Sequence, residues 1–345
     1  MRSLQVLRWL PFVVMFGVAL LDLLGGRNLV FLPLLTLGPA FASVSGGVRR
    51  TALVGAVALA ILVPMAIYNG LLFTWENNLT VVSILGVTGA SMLASRLRLQ
   101  RERELASVRQ VAEAAQRVLL RPVPRRAGDL RVALSYTSAA AEAQIGGDLY
   151  EVVTTPHGVR LLIGDVQGKG LAAVETAAWV LGAFREAAYD EADLADIGDR
   201  LEASLARHLG REQFVTAIVA ELGDDEMTLV NFGHPAPLLI QPDGELRTVE
   251  PPEQGLPLGL AAFDPSAAKA HRTPFGRGDR ILFFTDGVIE ARSPEGDFYP
   301  LTERAGFLTR DDPQAALDAL RADLVEHTGG PLLDDAAMLL LHRPH

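Results

Sequence analysis

Four short segments of the chain set aspartate where a β-rich run meets a glycine-bearing turn. Asp148 follows Gly146-Gly147 at the start of one run, and Asp165 closes the apolar run 159–163 and opens Asp165-Val166-Gln167-Gly168-Lys169-Gly170. Asp286 ends the run 281–285 and is followed by Gly287, and Asp334-Asp335 stands just before the last apolar run. A carboxylate at the rim of a buried strand is held by rigid backbone, and a neighbouring glycine lets an ion or ligand come close to the main chain. Any one aspartate in a turn is explained as well by a cap or a local hydrogen bond. Four turns of one design are harder to explain that way. Carboxylates gathered in one place repel unless cations hold them, and oxygen-only donors suit Mg²⁺ or Mn²⁺. No His-x-His or Cys-x-x-Cys spacing competes for zinc. The chain has no cysteine at all, which excludes disulfides, thiolate metal sites and cysteine nucleophiles.

The elements that must hold these aspartates lie beyond Gly128, where short β-rich runs alternate with turn residues. The pattern predicts strands at 130–136, 149–153, 159–165, 214–222, 227–231, 237–241, 280–285 and 336–342. Amphipathic helices fit 171–188, 194–208 and 314–327. Strands outnumber helices and hairpin-like pairs are frequent, so the expected architecture is α+β, two antiparallel sheets covered by helices.

The first third is different in kind. Residues 1–126 hold 14 Arg/Lys against 5 Asp/Glu, whereas residues 127–345 hold 17 against 36. A basic, apolar portion joined to an acidic one points to a membrane region and a water-facing domain, and the acidic surplus argues against nucleic acid as a partner. Apolar stretches at 4–24, 29–45, 51–68 and 79–95 each approach the length that crosses about 30 Å of hydrocarbon, the second being interrupted by Pro33, Gly38 and Pro39. Arg2, Arg8, Arg49, Arg50, Arg96, Arg98, Arg101 and Arg103 flank alternate ends of these stretches. The arginine bias therefore expects four crossings of the cell membrane, with the N-terminus and everything after Ser95 in the cytosol. The expected division is a membrane region at 1–95, a helical linker at 96–127 and a soluble domain at 128–345.

Residues 96–120 contain no Pro or Gly and favour a helix. Leu105, Val108, Ala112, Ala115 and Leu119 recur at spacings of three and four, a short heptad seam. It serves either as a dimer contact between two copies of the chain or as the face by which a solvated linker leans on its own domain. Pro122 and Pro124 close the helix.

In their order, the segments Ile145-Gly-Gly-Asp-Leu-Tyr-Glu151, Ile163-Gly-Asp-Val-Gln-Gly-Lys-Gly170, Phe214-Val-Thr-Ala217, Val230-Asn-Phe-Gly-His-Pro235, Gly278-Asp-Arg-Ile-Leu-Phe-Phe-Thr-Asp-Gly287 with Glu290, and Asp334-Asp335 resemble the stage II sporulation E-type branch of the PPM (PP2C-like) phosphatases. The resemblance spans about residues 128–343. It implies an αββα sandwich and a protein serine/threonine phosphatase using two divalent cations, Mn²⁺ or Mg²⁺. Asp165 would bridge both cations with help from the Val166 carbonyl, Asp148 would serve one, and Asp286 and Asp334 the other. A water activated between the cations would attack phosphorus in line. Gly147, Gly168, Gly287, Glu151 and Asp335 would support this set. Glu151 stands where many members have a second Asp, and Gln167 where Ser is common; Glu151 would then accept bonds from water on the cations. His234 reads better as a turn-stabilising residue than as a general acid, and Lys169 either meets phosphate or caps its turn. The implied substrate is a phosphorylated protein, of the anti-sigma-factor-antagonist type.

Two other readings use some of the same residues. Gly-Gly-Asp also opens a diguanylate cyclase signature, but Leu149-Tyr150 follows it in place of Glu-Phe, and the Asp165 and Asp286 turns have no place there. A catalytically silent membrane sensor that only binds a partner would not need aspartates at all four turns. The expected topology has a direct check, because the chain has no native cysteine. A single cysteine at position 128 should react with a membrane-impermeant thiol reagent only after the cells are opened; labelling of intact cells would overturn the orientation.

Overall fold

The computed structural model describes residues 2–25, 31–138, 146–208, 213–261, 263 and 268–345. Ile145 of the first motif, residues 26–30 of the first loop and second apolar stretch, and the side chains of Arg2 and Arg8 lie outside the described residues. The chain divides into two compact units, Met1–Ser107 and Val108–His345.

In the first unit, helix α1 (Arg2–Gly25) is followed by a 3-10 turn (Leu32–Thr36), α2 (Leu37–Ser45), α3 (Val48–Tyr68) and the start of α4 (Trp75–Leu119). Met15, Leu32, Leu35, Val54, Leu62 and Ile84 form its core. Small residues let the helices close on one another: a Cβ at Gly55 would lie 2.4 Å from the Thr88 side chain, and one at Gly38 2.5 Å from Met15 Sδ. Apolar side chains also cover the outside, among them Trp9, Phe16, Leu53, Ile67, Val82 and Leu93.

The second apolar stretch departs from expectation. Pro33 falls in the 3-10 turn, a helix of 9 residues follows it, and no single helix of spanning length forms among the described residues there. Among the described residues, α3 and α4 are by length and composition the two helices suited to crossing a membrane, while Trp9–Gly25 and Leu32–Val44 are apolar but shorter. The fourth stretch and the expected linker helix are one continuous helix of 45 residues, since nothing between them breaks it.

The second unit is a sandwich. One sheet has the order β1-β2-β11-β10-β7-β8 and the other β3-β4-β5-β6-β9. The first is built from β1 (Arg126–Ala127), β2 (Leu130–Thr137), β7 (Leu238–Ile240), β8 (Leu246–Thr248), β10 (Arg280–Phe284) and β11 (Ala336–His342). The second is built from β3 (Asp148–Thr155), β4 (Gly158–Val166), β5 (Val215–Leu222), β6 (Glu226–Phe232) and β9 (His271–Pro274). Every strand pair is antiparallel. Helices α5 (Leu171–Asp190) and α6 (Leu194–Ala206) cover the second sheet, the one-turn helices α7 (Asp286–Ile289) and α8 (Leu301–Arg304) follow β10, and α9 (Pro313–Thr328) covers the first sheet.

Strand periodicity explains why the central strands read as unbroken apolar runs. In β11, Ala337, Leu339 and Leu341 enter the core between the sheets, while Ala336, Met338 and Leu340 enter the one beneath α9. In β10, Ile281 and Phe283 divide from Leu282 and Phe284 in the same way. The short strands β1, β8 and β9 and the helices α7 and α8 have no such signal in the sequence; all three residues of β8 are exposed.

The tight β3–β4 hairpin turns at 155–158. There the Thr155 hydroxyl donates to the Gly158 carbonyl at 3.0 Å and accepts from the His157 amide at 3.1 Å, and Gly158 has φ of 124°. The seam along α4 is partly used within the chain. Ala112 packs against Val174 of α5, with Ala115 and Leu119 beside it, whereas Leu105 and Val108 are exposed.

One buried cation ties the helix layer to its sheet. Arg160 of β4 is fully buried, pairs with Glu221 of β5 at 2.6 Å, and donates to the carbonyls of Ala188, Glu191 and Ala192, where α5 ends. Removing it strands an acid and three carbonyls that α5 does not satisfy itself. Arg160→Ala should lower unfolding free energy by about 3–5 kcal/mol, read from denaturant unfolding of the detergent-solubilised chain; a loss near zero would show that water replaces the guanidinium.

Candidate active site

The register of β3 against β4 makes Asp148 and Asp165 direct cross-strand partners, so both side chains stand on one face at one end of the hairpin. Asp148 and Tyr150 face the opposite sheet, where the Tyr150 ring lies 6.1 Å from that of Tyr136 on β2. The opposite sheet supplies the rest. β10 ends at Phe284, one residue short of the expected 280–285 run: Thr285 caps, and Asp286 begins the one-turn helix α7. Asp334 and Asp335 immediately precede β11.

Thr285 joins the two sheets at this rim. Its hydroxyl donates to Asp148 Oδ2 at 2.9 Å and accepts from the Ala337 amide at 2.9 Å, and its own amide donates to the Ala337 carbonyl at 3.1 Å. Three glycines let the segments close. A Cβ at Gly147 would lie 2.3 Å from the Val166 carbonyl, one at Gly146 2.6 Å from the Asp335 carboxyl, and one at Gly287 1.8 Å from the Asp335 carbonyl. Gly168 has open space around it; what it supplies is a φ of 99° in the turn after Asp165.

These carboxylates lie within one another's field. Burial first, then Asp286, Asp334 and Asp335, push the Asp165 pKa up to about 7, with Lys169 opposing. Burial and the neighbouring Asp165 hold Asp148 well above the usual carboxylate range, against the Thr285 hydrogen bond. Asp286 is raised by burial, Glu290 and Asp334. Positive charge reaches the cluster through Lys169, whose Nζ donates to Asp334 Oδ1 at 2.9 Å. Among the described residues no three Asp, Glu or His side chains are already closed into a ligand set. The donors fit a hard cation all the same. They are oxygen-only, anchored in backbone, and raised in pKa by burial and then by mutual repulsion, both of which a cation would offset.

Asp335 is held differently from its neighbour. It is buried, and the Tyr136 hydroxyl donates to its Oδ2, while Gln116 Nε2 from α4 donates to the Tyr136 oxygen at 2.9 Å. Burial and Asp335 together keep the Tyr136 phenol protonated far above its ordinary range. Glu151 is not brought to the aspartates. An odd spacing from Asp148 turns it to the helix side, where Arg185 of α5 pairs with it at 2.5 Å and also donates to the Leu119 carbonyl at 2.8 Å. His234 clasps a turn. Its amide donates to Asn231 Oδ1 at 2.8 Å, Asn231 Nδ2 donates to its carbonyl at 2.9 Å, and Nδ1 meets the hydroxyl of Thr216 at 3.0 Å, Thr216 being the register partner of Asp165. Burial pushes its pKa down to about 3, leaving the ring neutral. The sequence reading missed Thr285, Tyr136 and Gln116, although Thr285 lies within a quoted motif.

Two antiparallel sheets flanked by helices, with carboxylates from both sheets at one rim, define a PP2C-type sandwich. The chain belongs to the stage II sporulation protein E (SpoIIE) family, whose sequence model matches residues 155–344. It is 26% identical over 179 residues to the phosphoserine phosphatase RsbU of Bacillus subtilis (strain 168), covering 51% of this chain and 49% of the relative. The chain thus spans about half the length of that curated relative. Among solved structures, the SiaA-PP2C domain of Pseudomonas aeruginosa superposes with a TM-score of 0.60 at 16% identity, covering 70% of this chain and 98% of that one. The PP2C phosphatase domain of SpoIIE from Bacillus subtilis, solved with a fragment of its regulatory domain, gives 0.52 at 17% identity, covering 63% and 64%.

The raised carboxylates have a consequence for stability. A carboxyl whose folded pKa lies above its unfolded value favours the folded state while protonated, and that contribution is lost as pH rises through the folded value. In chelator, unfolding free energy should therefore fall between about pH 4 and the Asp165 value of about 7. Asp165→Asn should flatten that slope. A slope equal to wild type in the variant would remove Asp165 from the cluster.

Proposed function

We propose that the chain is a membrane-anchored, metal-dependent protein serine/threonine phosphatase. One observation carries the reading: Asp148 and Asp165 from one sheet share a rim with Asp286 and Asp334 from the other. Asp148, Asp165, Asp286, Asp334 and the Val166 carbonyl would hold two divalent cations, Mn²⁺ or Mg²⁺. Such ions, when bound, neutralise phosphate charge and activate water at neutral pH. The chain's own residues do the placing. Thr285 orients Asp148, and the close approach at Gly147 and Gly287 fixes the main chain on either side. Asp165 sits on the paired segment of β4, where both neighbouring strands restrain it. Lys169 lends positive charge to the open side, which suits an anionic substrate. The substrate would be phosphoserine or phosphothreonine on a protein regulator, anti-sigma-factor antagonists being the type in view.

Anchoring is supported by α3 and α4, long and apolar with outward-facing apolar side chains, and by the arginines at their ends. The N-terminus and the second unit would face the cytosol at the cell membrane. Dimerisation through α4 has less to draw on than the whole seam, since Ala112, Ala115 and Leu119 are packed within the chain.

The decisive experiment is release of phosphate from a phosphoserine peptide by the detergent-solubilised chain, with and without Mn²⁺. Turnover should require the metal, and Asp165→Asn should abolish turnover while the fold survives. Asp286→Asn and Asp334→Asn should behave alike, and Asp335→Asn more mildly. Near wild-type turnover by Asp165→Asn at saturating Mn²⁺ would refute the assignment.

A further inference from the structure

A cleft of about 530 Å³ opens directly beside the aspartate rim, with Asp286, Gly287 and Asp334 forming one end. Its volume falls within the ~300–1,000 Å³ of ligand-sized clefts, enough for a few residues of extended chain. Away from the aspartates its wall changes character. Pro331, Leu332 and Leu333 line one side, and Leu333 is 83% exposed although it adjoins Asp334 in sequence. Arg292 also lines the cleft and is the one cation among the described lining residues.

Arg292 is held ready. Its guanidinium lies 4.0 Å from the centroid of the Phe298 ring, Nη1 donates to the Gly296 carbonyl at 3.2 Å, and residues 292 and 298 are bridged through their backbones. Its partners among the described residues are the Phe298 ring and the Gly296 carbonyl, although Glu290 lines the same cleft. A planar cation fixed over a ring, with donors left over, is a carboxylate receptor in waiting. The surrounding domain is strongly acidic, with 36 Asp/Glu against 17 Arg/Lys in residues 127–345. The cleft carries carboxylates of its own, Asp286, Glu290 and Asp334, so Arg292 marks the place in it where an acidic side chain can be received.

We propose that this cleft selects the protein substrate. It takes the residues flanking the phosphorylated one, with a Glu or Asp against Arg292 and an apolar side chain on Leu333. The inference rests on the phosphatase reading for what sits at the aspartate end, but concerns a different set of side chains. It makes the enzyme selective for acidic phosphoproteins and indifferent to basic ones.

The test is binding, read by fluorescence anisotropy of labelled phosphoserine peptides on the detergent-solubilised full chain, alongside turnover. One peptide set carries Glu walked through the flanking positions, and a matched set carries Lys. Wild type should bind the best Glu peptide about tenfold tighter than its Lys twin, the scale of one charge-assisted contact. Arg292→Glu should invert that order, restoring the Lys peptide above the Glu one, which loss of fold could not do. Leu333→Ser, a change at an exposed position, should weaken peptides with an apolar neighbour by several-fold and leave the Glu-to-Lys ratio alone. Equal binding of the two sets by wild type, or a ratio unmoved by Arg292→Glu, would overturn the proposal even if both sets are dephosphorylated. Absence of turnover with the binding preference intact would instead remove the phosphatase reading and leave the cleft standing.

Discussion

Mutual repulsion among buried carboxylates is the force that the surrounding architecture has to withstand. Burial raises the pKa of Asp148, Asp165 and Asp286, and neighbouring carboxylates raise them further: Asp165, Asp335 and Asp286 act on Asp148, Asp286, Asp334 and Asp335 on Asp165, and Glu290 and Asp334 on Asp286. Left to a flexible loop, such side chains would turn to solvent. They stay because each is fixed by something stiffer than itself: a paired strand for Asp148 and Asp165, a helical turn for Asp286, and the entry to a central strand for Asp334 and Asp335. Thr285 is the cross-tie between the sheets at that point, and its bonds to both β11 and Asp148 mean the rim cannot open without breaking a buried hydrogen bond.

Much of this was legible from the sequence, for a definite reason. Glycines that precede or follow an aspartate at a strand rim carry their own explanation, and at Gly147 and Gly287 the backbone contact is closer than any Cβ would allow. The central strands were readable because both faces are covered and the apolar run is unbroken. Glu151 shows where the reading went astray. It was grouped with the metal-site support because it belongs to the same motif as Asp148, yet strand periodicity alone assigns it to the other face, and there Arg185 has taken it. Edge strands β1, β8 and β9 gave no signal because pairing at an edge asks little of side chains. The apolar stretch 29–45 looked like the others in composition, but Pro33 opens a 3-10 turn in it ahead of the short helix α2.

The end of α4 makes more contact with the acidic rim than its heptad spacing suggests. Gln116 reaches Tyr136, which holds Asp335, and the Leu119 carbonyl receives Arg185, which holds Glu151. Ala112 lies on Val174 in the first turn of α5, just past the turn that carries Asp165. Periodicity identified the residues of this face correctly and left their partner open between a second copy and the chain itself. In the structure, its latter half belongs to the chain.

The β3–β4 hairpin carries a less obvious burden. Since cross-strand pairing sets Asp148 against Asp165, the alignment of those two residues is decided at the opposite tip, by Thr155, His157 and Gly158. A strand has only two faces, so an inserted or deleted residue at that tip does not shift the carboxylates by a small distance. It rotates Asp148 towards the helices and presents Leu149 or Gly147 in its place. The hairpin is therefore a digital element: it tolerates chemical change in its side chains but not a change in its count. Its length, at the far end from the aspartates, is inherited with them as a single unit.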